Sequence, residues 1–250
     1  MGLFAFPLTG DGMARADAPA SADAPEQPAW CAPEVEGLPG DVCHVDGGQQ
    51  GDRRTLVIFL HGAIAKGTTW QWTQERALLR QSKEAHFEAI FPRAPLGASG
   101  YVWPGSVKAQ LEVEDELFRG WHAAQALLEE RAGRPFDQVF VMGFSSGAYF
   151  ASSLALRRRL DVDGYAVFAG GASYGSATPG PAAAVPVFVG VCASDKQTAD
   201  DSRSFGAALA ARGFRHRVDE EPVGHMFSDV HVVHAASYLR AVAARRTATQ

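Results

Sequence analysis

The stretch that most constrains the fold of this chain is residues 139–160. It opens with the apolar run Val-Phe-Val-Met at 139–142, which is typical of a short strand buried on both faces. A Gly-Phe-Ser-Ser-Gly turn follows at 143–147, and residues 146–160 are predicted to form a helix. A strained turn between strand and helix lifts a serine hydroxyl above a sheet, and flanking glycines leave room for close packing. Ser145 is therefore a candidate nucleophile; the alternative is a glycine- and serine-rich turn that only packs.

Strand-like and helix-like segments alternate along the rest of the chain. An edge strand is predicted at 41–45, and further strands at 55–60, 88–92, 139–142, 165–169, 185–192 and 215–221. Helices are predicted at 69–82, 107–131, 146–160, 201–212 and 228–245, and residues 93–106 are predicted to be irregular. This rhythm predicts an α/β fold with a mostly parallel sheet covered by helices on both faces. The connection after Ala169 spans only about a dozen residues, so no large inserted cap is expected.

Length and charge narrow the class of protein. The 250 residues suit one α/β domain, predicted to span residues 29–250. A net charge of −5, with no basic run longer than Arg157-Arg158-Arg159, argues against nucleic acid as a partner. That run is predicted to form the solvated end of a helix. No apolar stretch reaches the roughly 18 residues that a membrane span requires, and no feature predicts an oligomeric state.

The N-terminal residues 1–28 are similar to a secretory signal followed by a linker. A short apolar stretch at 3–8, which no lysine or arginine precedes, is followed at 16–18 by an Ala-Asp-Ala sequence that is typical of a cleavage site. Cys31 and Cys43 are predicted to form a disulfide, with two unpaired cysteines as the alternative. Cys192 is predicted to be a buried free thiol. A disulfide and a signal together favour a secreted or periplasmic protein, with a cytoplasmic one as the alternative.

A serine attacks at neutral pH only with a base within hydrogen-bond reach and a group that orients that base. His225 is the predicted base because it lies in the loop after the last strand, at the carboxyl end of that strand, where α/β sites form. Asp195 is the predicted orienting acid because it follows the 185–192 strand, again at the carboxyl end. Asp200 and Asp201 are rival acids, but they stand where the next helix is predicted to begin, and capping explains them.

Acyl transfer also needs two backbone N–H groups that receive the oxyanion. The amide of Ser146, directly after the candidate nucleophile, is one predicted donor, and the amide of Ala63, after the 55–60 strand, is the other. His61 is predicted to brace the segment that carries Ala63. A group of large side chains near these segments could line the cleft or pack beneath its loops; they are Trp70, Trp72, Tyr101, Trp103, Tyr149 and Met226.

No cofactor or metal is expected from the sequence. The glycines between 100 and 105 do not form a phosphate-binding loop, because the lysine that such a loop requires is missing. A metal held by His225, His231 and His234 would need ligands divided between a loop and a helix.

Four features together resemble the α/β-hydrolase superfamily: Leu-His-Gly at 60–62, the 143–147 turn, Asp195, and Gly-His at 224–225. The similarity covers residues 56–239 and is strongest to small capless serine esterases, either phospholipase/carboxylesterase-like or polyhydroxyalkanoate-depolymerase/feruloyl-esterase-like. Residues 91–95, with Trp103 shortly after, are similar to the carboxylesterase segment that lines the acyl side of the cleft. Three departures leave the subgroup open: the serine at 146, the alanine at 148, and no Val-Pro after Asp195.

The resemblance implies an α/β-hydrolase fold without a large cap and a serine esterase acting on a small or polymeric ester. Ser145, His225 and Asp195 would form its triad, and they occur along the chain in the order Ser, Asp, His that this superfamily uses. Two alternatives stay open. One is a peptidase or acyltransferase that shares the same intermediate, and the other is a catalytically silent binding domain on the same fold.

Overall fold

The computed structural model describes residues 29–49, 51–171 and 185–247. The strands within them are β1 (Glu36–Leu38), β2 (Val42–Asp46), β3 (Thr55–Leu60), β4 (Ile64–Ala65), β5 (Glu88–Pro92), β6 (Gly100–Tyr101), β7 (Gln138–Phe144), β8 (Gly164–Phe168), β9 (Val187–Cys192) and β10 (His216–Glu221). The helices within them are α1 (Trp70–Ala85), α2 (Val107–Ala132), α3 (Ser146–Arg157), α4 (Ala199–Ala211) and α5 (Asp229–Thr247).

Eight strands form one sheet in the order β1-β2-β5-β3-β7-β8-β9-β10. Strand β2 is antiparallel to both of its neighbours, and all other neighbouring strands are parallel. Every residue of β3 and β9 is buried, as strands covered on both faces require. The mostly parallel sheet predicted from the sequence is confirmed.

Helices cover both faces of this sheet. Helices α1 and α5 contact each other on one face. On the other face α3 contacts α2 through Arg157 and Glu114, and it contacts α4 through a hydrogen bond from Tyr149 to Asp201. Because the strands are parallel, the loops that follow β3, β7, β9 and β10 all leave the sheet at the carboxyl ends of the strands. The candidate site lies on this side of the sheet.

The ends of the helices follow from local sequence. Helix α2 begins after Ser106, whose hydroxyl accepts a hydrogen bond from the amide of Ala109. It ends at Ala132, where Gly133 follows in the left-handed conformation. Helix α3 ends at Arg157, three residues before its predicted end, because Arg158 adopts a φ of 53°.

The first described residues form the sheet edge and are tied to α1. Cys31 and Cys43 form a disulfide, as predicted. The amide of Ala32 donates to Oε2 of Glu75 on α1 at 2.6 Å. Trp30 packs its ring against that of His61, with centroids 5.1 Å apart. This segment therefore reaches from the sheet edge to the loop after β3.

Strand β1 and the small sheet of β4 and β6 were not predicted. Residues 93–106 were expected to be irregular, but Gly100 and Tyr101 pair antiparallel with Ala65 and Ile64. A two-residue strand carries no periodicity that a sequence pattern can show. The pairing depends on glycine at position 100, since a Cβ there would lie 2.0 Å from the carbonyl oxygen of Ile64.

The prediction that Arg157 to Arg159 form a solvated helix end is correct only in part. The run stands at the end of α3 and Arg159 is exposed, but two of the arginines are engaged by another helix. Arg157 and Arg159 both pair with Glu114 of α2, whose side chain is fully buried. Burial acts to raise the pKa of Glu114, but the hydrogen bonds from the two arginines outweigh it and lower that pKa. The run thus joins two helices, because α2 places a carboxylate opposite it.

Two expectations lie outside the described residues. These are the signal-like segment 1–28 and the connection at 172–184 that was expected to hold no cap. Cys192 is buried and forms no disulfide. None of the helices in the described part of the chain is both long and apolar enough to cross a bilayer.

Candidate active site

Ser145 lies on a sharp turn between β7 and α3. Its backbone has φ 52° and ψ −116°, a sparsely populated combination for a residue with a Cβ. The turn requires glycine on both sides. A Cβ on Gly143 would lie 2.3 Å from the carbonyl oxygen of Gly147, and one on Gly147 would lie 2.0 Å from that of Leu60. The strand, the turn and the helix therefore fix the position of the serine.

The structure brings Ser145, His225 and Asp195 into one line of hydrogen bonds. Nδ1 of His225 lies 2.6 Å from Oδ2 of Asp195, and Nε2 lies 2.9 Å from Oγ of Ser145. Because an ionised carboxylate only accepts hydrogen bonds, Nδ1 carries the proton. Nε2 is then free to accept the Ser145 hydroxyl proton. The three residues come from the loops after β7, β9 and β10, which meet at the same edge of the sheet.

Asp195 is held as a carboxylate by three hydrogen bonds. Burial acts to raise its pKa, but donors from Thr198, His225 and the amide of Gln197 outweigh burial and lower the pKa to about 2. The Thr198 hydroxyl binds Oδ2, the same oxygen that receives His225, while the Gln197 amide donates to Oδ1 at 2.9 Å. Asp195 is thus charged, oriented and 5% exposed.

The two rival aspartates are engaged elsewhere. Asp200 pairs with Arg203 on the surface of α4 at 3.2 Å. Asp201 accepts the hydroxyl of Tyr149 at 2.5 Å. Both lie in the first turn of α4, while the N-cap residue of that helix is Thr198. Neither rival contacts His225, which is bound by Asp195.

The segments that carry the two predicted oxyanion donors meet beside Ser145, since a Cβ on Gly62 would lie 3.4 Å from Cβ of Ser145. Ser146 is the first residue of α3, so its amide has no acceptor within the helix. Ala63 follows β3 and is exposed. The peptide before it is fixed, since the amide of Gly62 donates to Oε1 of Gln74 at 2.8 Å. Gly62 also packs against the ring of Phe144, where a Cβ would lie 3.0 Å away.

His61 braces this segment from inside the core. The amide of Ala94 donates to Nε2 of His61 at 3.0 Å, so the proton of the imidazole is on Nδ1, which donates to the carbonyl of Gly62 at 2.5 Å. Burial lowers the pKa of His61 to about 4, although the bond to Gly62 opposes this. His61 is therefore neutral at neutral pH, and both of its nitrogens are occupied by backbone groups.

The side chains proposed for the cleft differ in how far they are exposed to solvent. Trp70 and Met226 are 60% and 48% exposed. Tyr149 is half-buried and directs its hydroxyl to Asp201. Trp103 is buried, with its ring stacked on Phe150 at a centroid distance of 5.5 Å. Trp103 therefore packs beneath the loops instead of facing solvent.

One group of described residues has side-chain atoms close enough together to hold a metal ion. Asp219, Glu221 and His234 place such atoms within 4.8 Å of one another. Nδ1 of His234 is already bonded to Oδ2 of Asp219 at 2.5 Å. His225 is not part of this group, so the histidine set considered from the sequence is not brought together as one site.

Sequence reasoning missed two residues that hold the site. Thr198 fixes the carboxylate of Asp195, and Gln74 fixes the peptide before Ala63. Thr198 had a weak signal, because it stands three residues after an aspartate that starts an Asx-type turn. Gln74 had none, since one glutamine on a predicted helix looks like any other.

Comparison with known proteins identifies the fold. No protein-family model matches the sequence, and no curated protein matches it. Among solved structures, a carboxylesterase from Mesorhizobium loti is 17% identical, with 80% of this chain and 93% of that one covered and a TM-score of 0.56. The Bacillus cereus carboxylesterase is 16% identical, with coverage of 80% and 94% and a TM-score of 0.51. SOBER1 from Arabidopsis thaliana is also 16% identical, with coverage of 75% and 98% and a TM-score of 0.52.

The similarity to this chain covers nearly the whole length of each of these neighbours. At this level of identity the likeness concerns the fold, and the chain has the α/β-hydrolase fold. The expectation drawn from the sequence motifs is confirmed at that level.

Proposed function

We propose that this protein is a serine hydrolase that cleaves carboxylic esters through an acyl-enzyme on Ser145. The observation that carries the proposal is the hydrogen-bonded line from Ser145 through His225 to Asp195, with distances of 2.9 and 2.6 Å. The presence of two carboxylesterases among the structural neighbours supports the same activity. A serine, a base and an orienting carboxylate in this geometry are the parts that acyl transfer needs.

In the first step, Oγ of Ser145 attacks the ester carbonyl carbon and gives its proton to Nε2 of His225. The imidazole is then a cation that donates from Nδ1 to Asp195. Because the pKa of Asp195 is about 2, that carboxylate is charged throughout the neutral range and stabilises the cation. The amides of Ala63 and Ser146 receive the negative charge on the carbonyl oxygen.

The tetrahedral intermediate then collapses. The bond to the alcohol oxygen breaks, His225 returns its proton to that oxygen, and the acyl group remains on Ser145. A water molecule next attacks the acyl carbon while His225 removes its proton. The bond between the acyl carbon and Oγ of Ser145 then breaks, and His225 returns the proton to Oγ. The carboxylic acid leaves, the serine hydroxyl is restored, and no cofactor takes part.

The proposed substrate is a small-molecule or polymeric ester. Trp70 and Met226, as exposed large side chains on segments next to Ala63 and His225, support contact with an apolar acyl or alcohol group. Tyr149 and Trp103 would shape the cleft from below. The Cys31–Cys43 disulfide supports a secreted or periplasmic location for the enzyme.

Labelling by a fluorophosphonate probe, followed by mass spectrometry of the modified peptide, tests the proposal. We expect the adduct on Ser145, and hydrolysis of a panel of p-nitrophenyl esters. Ser145→Ala should lower kcat by about a million-fold and Asp195→Asn by about ten-thousand-fold. Asp201→Asn is the matched control and should stay close to the wild type.

Three results would redirect the proposal. If folded wild-type protein takes up no probe and cleaves no ester, the silent binding domain becomes the better reading. If Asp201→Asn loses more activity than Asp195→Asn, the assignment of the acid is wrong. Preferential cleavage of amides, or transfer to an added alcohol, would favour the peptidase or acyltransferase reading, which uses the same acyl-enzyme.

A further inference from the structure

Trp103 forms hydrogen bonds to both segments that carry the oxyanion amides. Its indole Nε1–H donates to the carbonyl of His61 at 2.9 Å. Its backbone N–H donates to Oγ of Ser146 at 3.0 Å. The first bond holds the segment that ends at Ala63, and the second holds the first residue of α3. One residue thus fixes the two sides of the proposed oxyanion hole relative to each other.

The ring of Trp103 is itself immobilised by packing. It stacks on Phe150 of α3 with an interplanar angle of 12°, and it contacts Trp121 of α2 edge to face at 6.1 Å. The side chain is 3% exposed. Because Phe150 belongs to the helix that begins at Ser146, the stacking and the hydrogen bond to Ser146 hold Trp103 against the same helix.

The backbone around Trp103 is tied to the other segment as well. Strand β6 ends two residues before Trp103 and pairs with β4, which begins directly after Ala63. The segment 61–65 is therefore held at three points: the end of β3, the His61 carbonyl and the β4–β6 pairing. These three attachments restrict the Ala63 peptide, and the indole hydrogen bond is the attachment that Trp103 supplies.

We propose that Trp103 is a positioning residue that sets the separation of the Ala63 and Ser146 amides. This inference rests on the proposed function, because it assigns a role within the same site. The amides act on the charge that develops in the transition state, and an oxyanion hole gains its effect from being fixed in advance. Loss of the indole bond should therefore slow the chemical step and leave substrate binding almost unchanged.

The test is Trp103→Phe, which keeps an aromatic ring to stack on Phe150 and removes the indole donor together with part of the buried ring volume. We expect kcat for a p-nitrophenyl ester to fall by about 10- to 100-fold, with KM changed less than twofold. The labelling rate of Ser145 by a fluorophosphonate should fall by a similar factor, because the phosphonyl oxygen occupies the same hole. Unfolding curves recorded in parallel verify that the variant is folded.

Trp121→Phe is the matched control. Trp121 is a buried tryptophan in the same aromatic cluster, and its indole nitrogen has no hydrogen-bond partner in the described part of the chain. The same change there should leave kcat, KM and the labelling rate close to those of the wild type. Equal losses in both variants would mean that Trp103 acts only through packing, and would overturn the proposal.

Ser146→Ala provides a second test on the other bond of the bridge. It keeps the backbone amide at position 146 and removes the side-chain oxygen that accepts the hydrogen bond from the Trp103 N–H. If both bonds serve one separation, the double variant should lose little more than the worse single variant. Fully multiplicative losses, or a change confined to KM, would contradict a shared positioning role.

The outcomes separate this inference from the proposed function. If the wild type takes up the probe but cleaves no tested ester, the labelling rate of Trp103→Phe decides the inference: a slower rate supports it and an unchanged rate refutes it. A wild type that is active, with Trp103→Phe equally active, refutes the inference alone. A wild type with neither labelling nor hydrolysis refutes both.

Discussion

Glu75 is a buried carboxyl group whose ionisation should oppose folding. It is fully buried on α1, where Oε2 accepts the amide of Ala32 at 2.6 Å and Oε1 lies 3.6 Å from the disulfide sulfur of Cys43. Burial raises its pKa from the ordinary value of 4.5 to about 7, and the bond from Ala32 only partly offsets this. The perturbation that we consider is Glu75→Gln, which keeps the shape and an acceptor oxygen for Ala32.

The sign and size of the effect follow from proton linkage. The unfolded chain releases the Glu75 proton near pH 4.5, whereas the folded protein keeps it up to about pH 7. The folded state is therefore favoured most below pH 4.5, and that advantage is lost as the pH rises through 7. At about 1.36 kcal/mol for each pH unit, the interval is worth about 3 kcal/mol.

The assay is urea denaturation of the wild type and of Glu75→Gln between pH 4 and pH 8, with the disulfide oxidised. We expect the free energy of unfolding of the wild type to fall by about 3 kcal/mol relative to the variant across this range. Glu84→Gln, a change of an exposed glutamate on the same helix, controls for the lost charge. Parallel pH profiles for the wild type and Glu75→Gln would refute the reasoning.

Three further predictions concern stability. Thr198→Val should lower the free energy of unfolding by about 2 kcal/mol at pH 7 and raise the pKa of Asp195, since that carboxylate loses a hydrogen bond. Glu114→Ala should cost about 3–5 kcal/mol in thermal unfolding, because it leaves a largely buried arginine unpaired; a loss below about 1 kcal/mol would contradict this. Reduction of Cys31–Cys43 should cost about 3 kcal/mol in urea, as expected for a loop this short, and an unchanged midpoint would argue against it.

The sequence predicted much of the fold because parallel α/β proteins carry strong local signals. Long apolar runs predicted the central strands, and β3 and β5 begin and end where the sequence placed them. The proposed triad could be predicted because each member follows a strand, and the ends of parallel strands share one edge. A pattern read along the chain therefore sufficed to group three residues far apart in sequence.

The missed features are those that depend on contacts between elements. Gln74 and Glu75 lie on α1, whose bounds were predicted only approximately. Trp103 was named from the sequence as a possible cleft residue, but its hydrogen bonds were not predicted. Their roles come from a single hydrogen bond or from burial against another segment, which no periodicity records. Glu114 is the same case, since only the packing of α2 on α3 places its buried carboxylate beside Arg157 and Arg159.

The backbone of Ser145 has a consequence for how such a chain evolves. A conformation with φ 52° and ψ −116° costs on the order of 1–3 kcal/mol for a residue with a side chain, and glycine would adopt it at much lower cost. Under the proposed function, replacement by glycine would relieve this strain and remove the attacking oxygen in one step. Selection for stability alone would favour that replacement, so we expect a serine to stay at this position only where its hydroxyl is used.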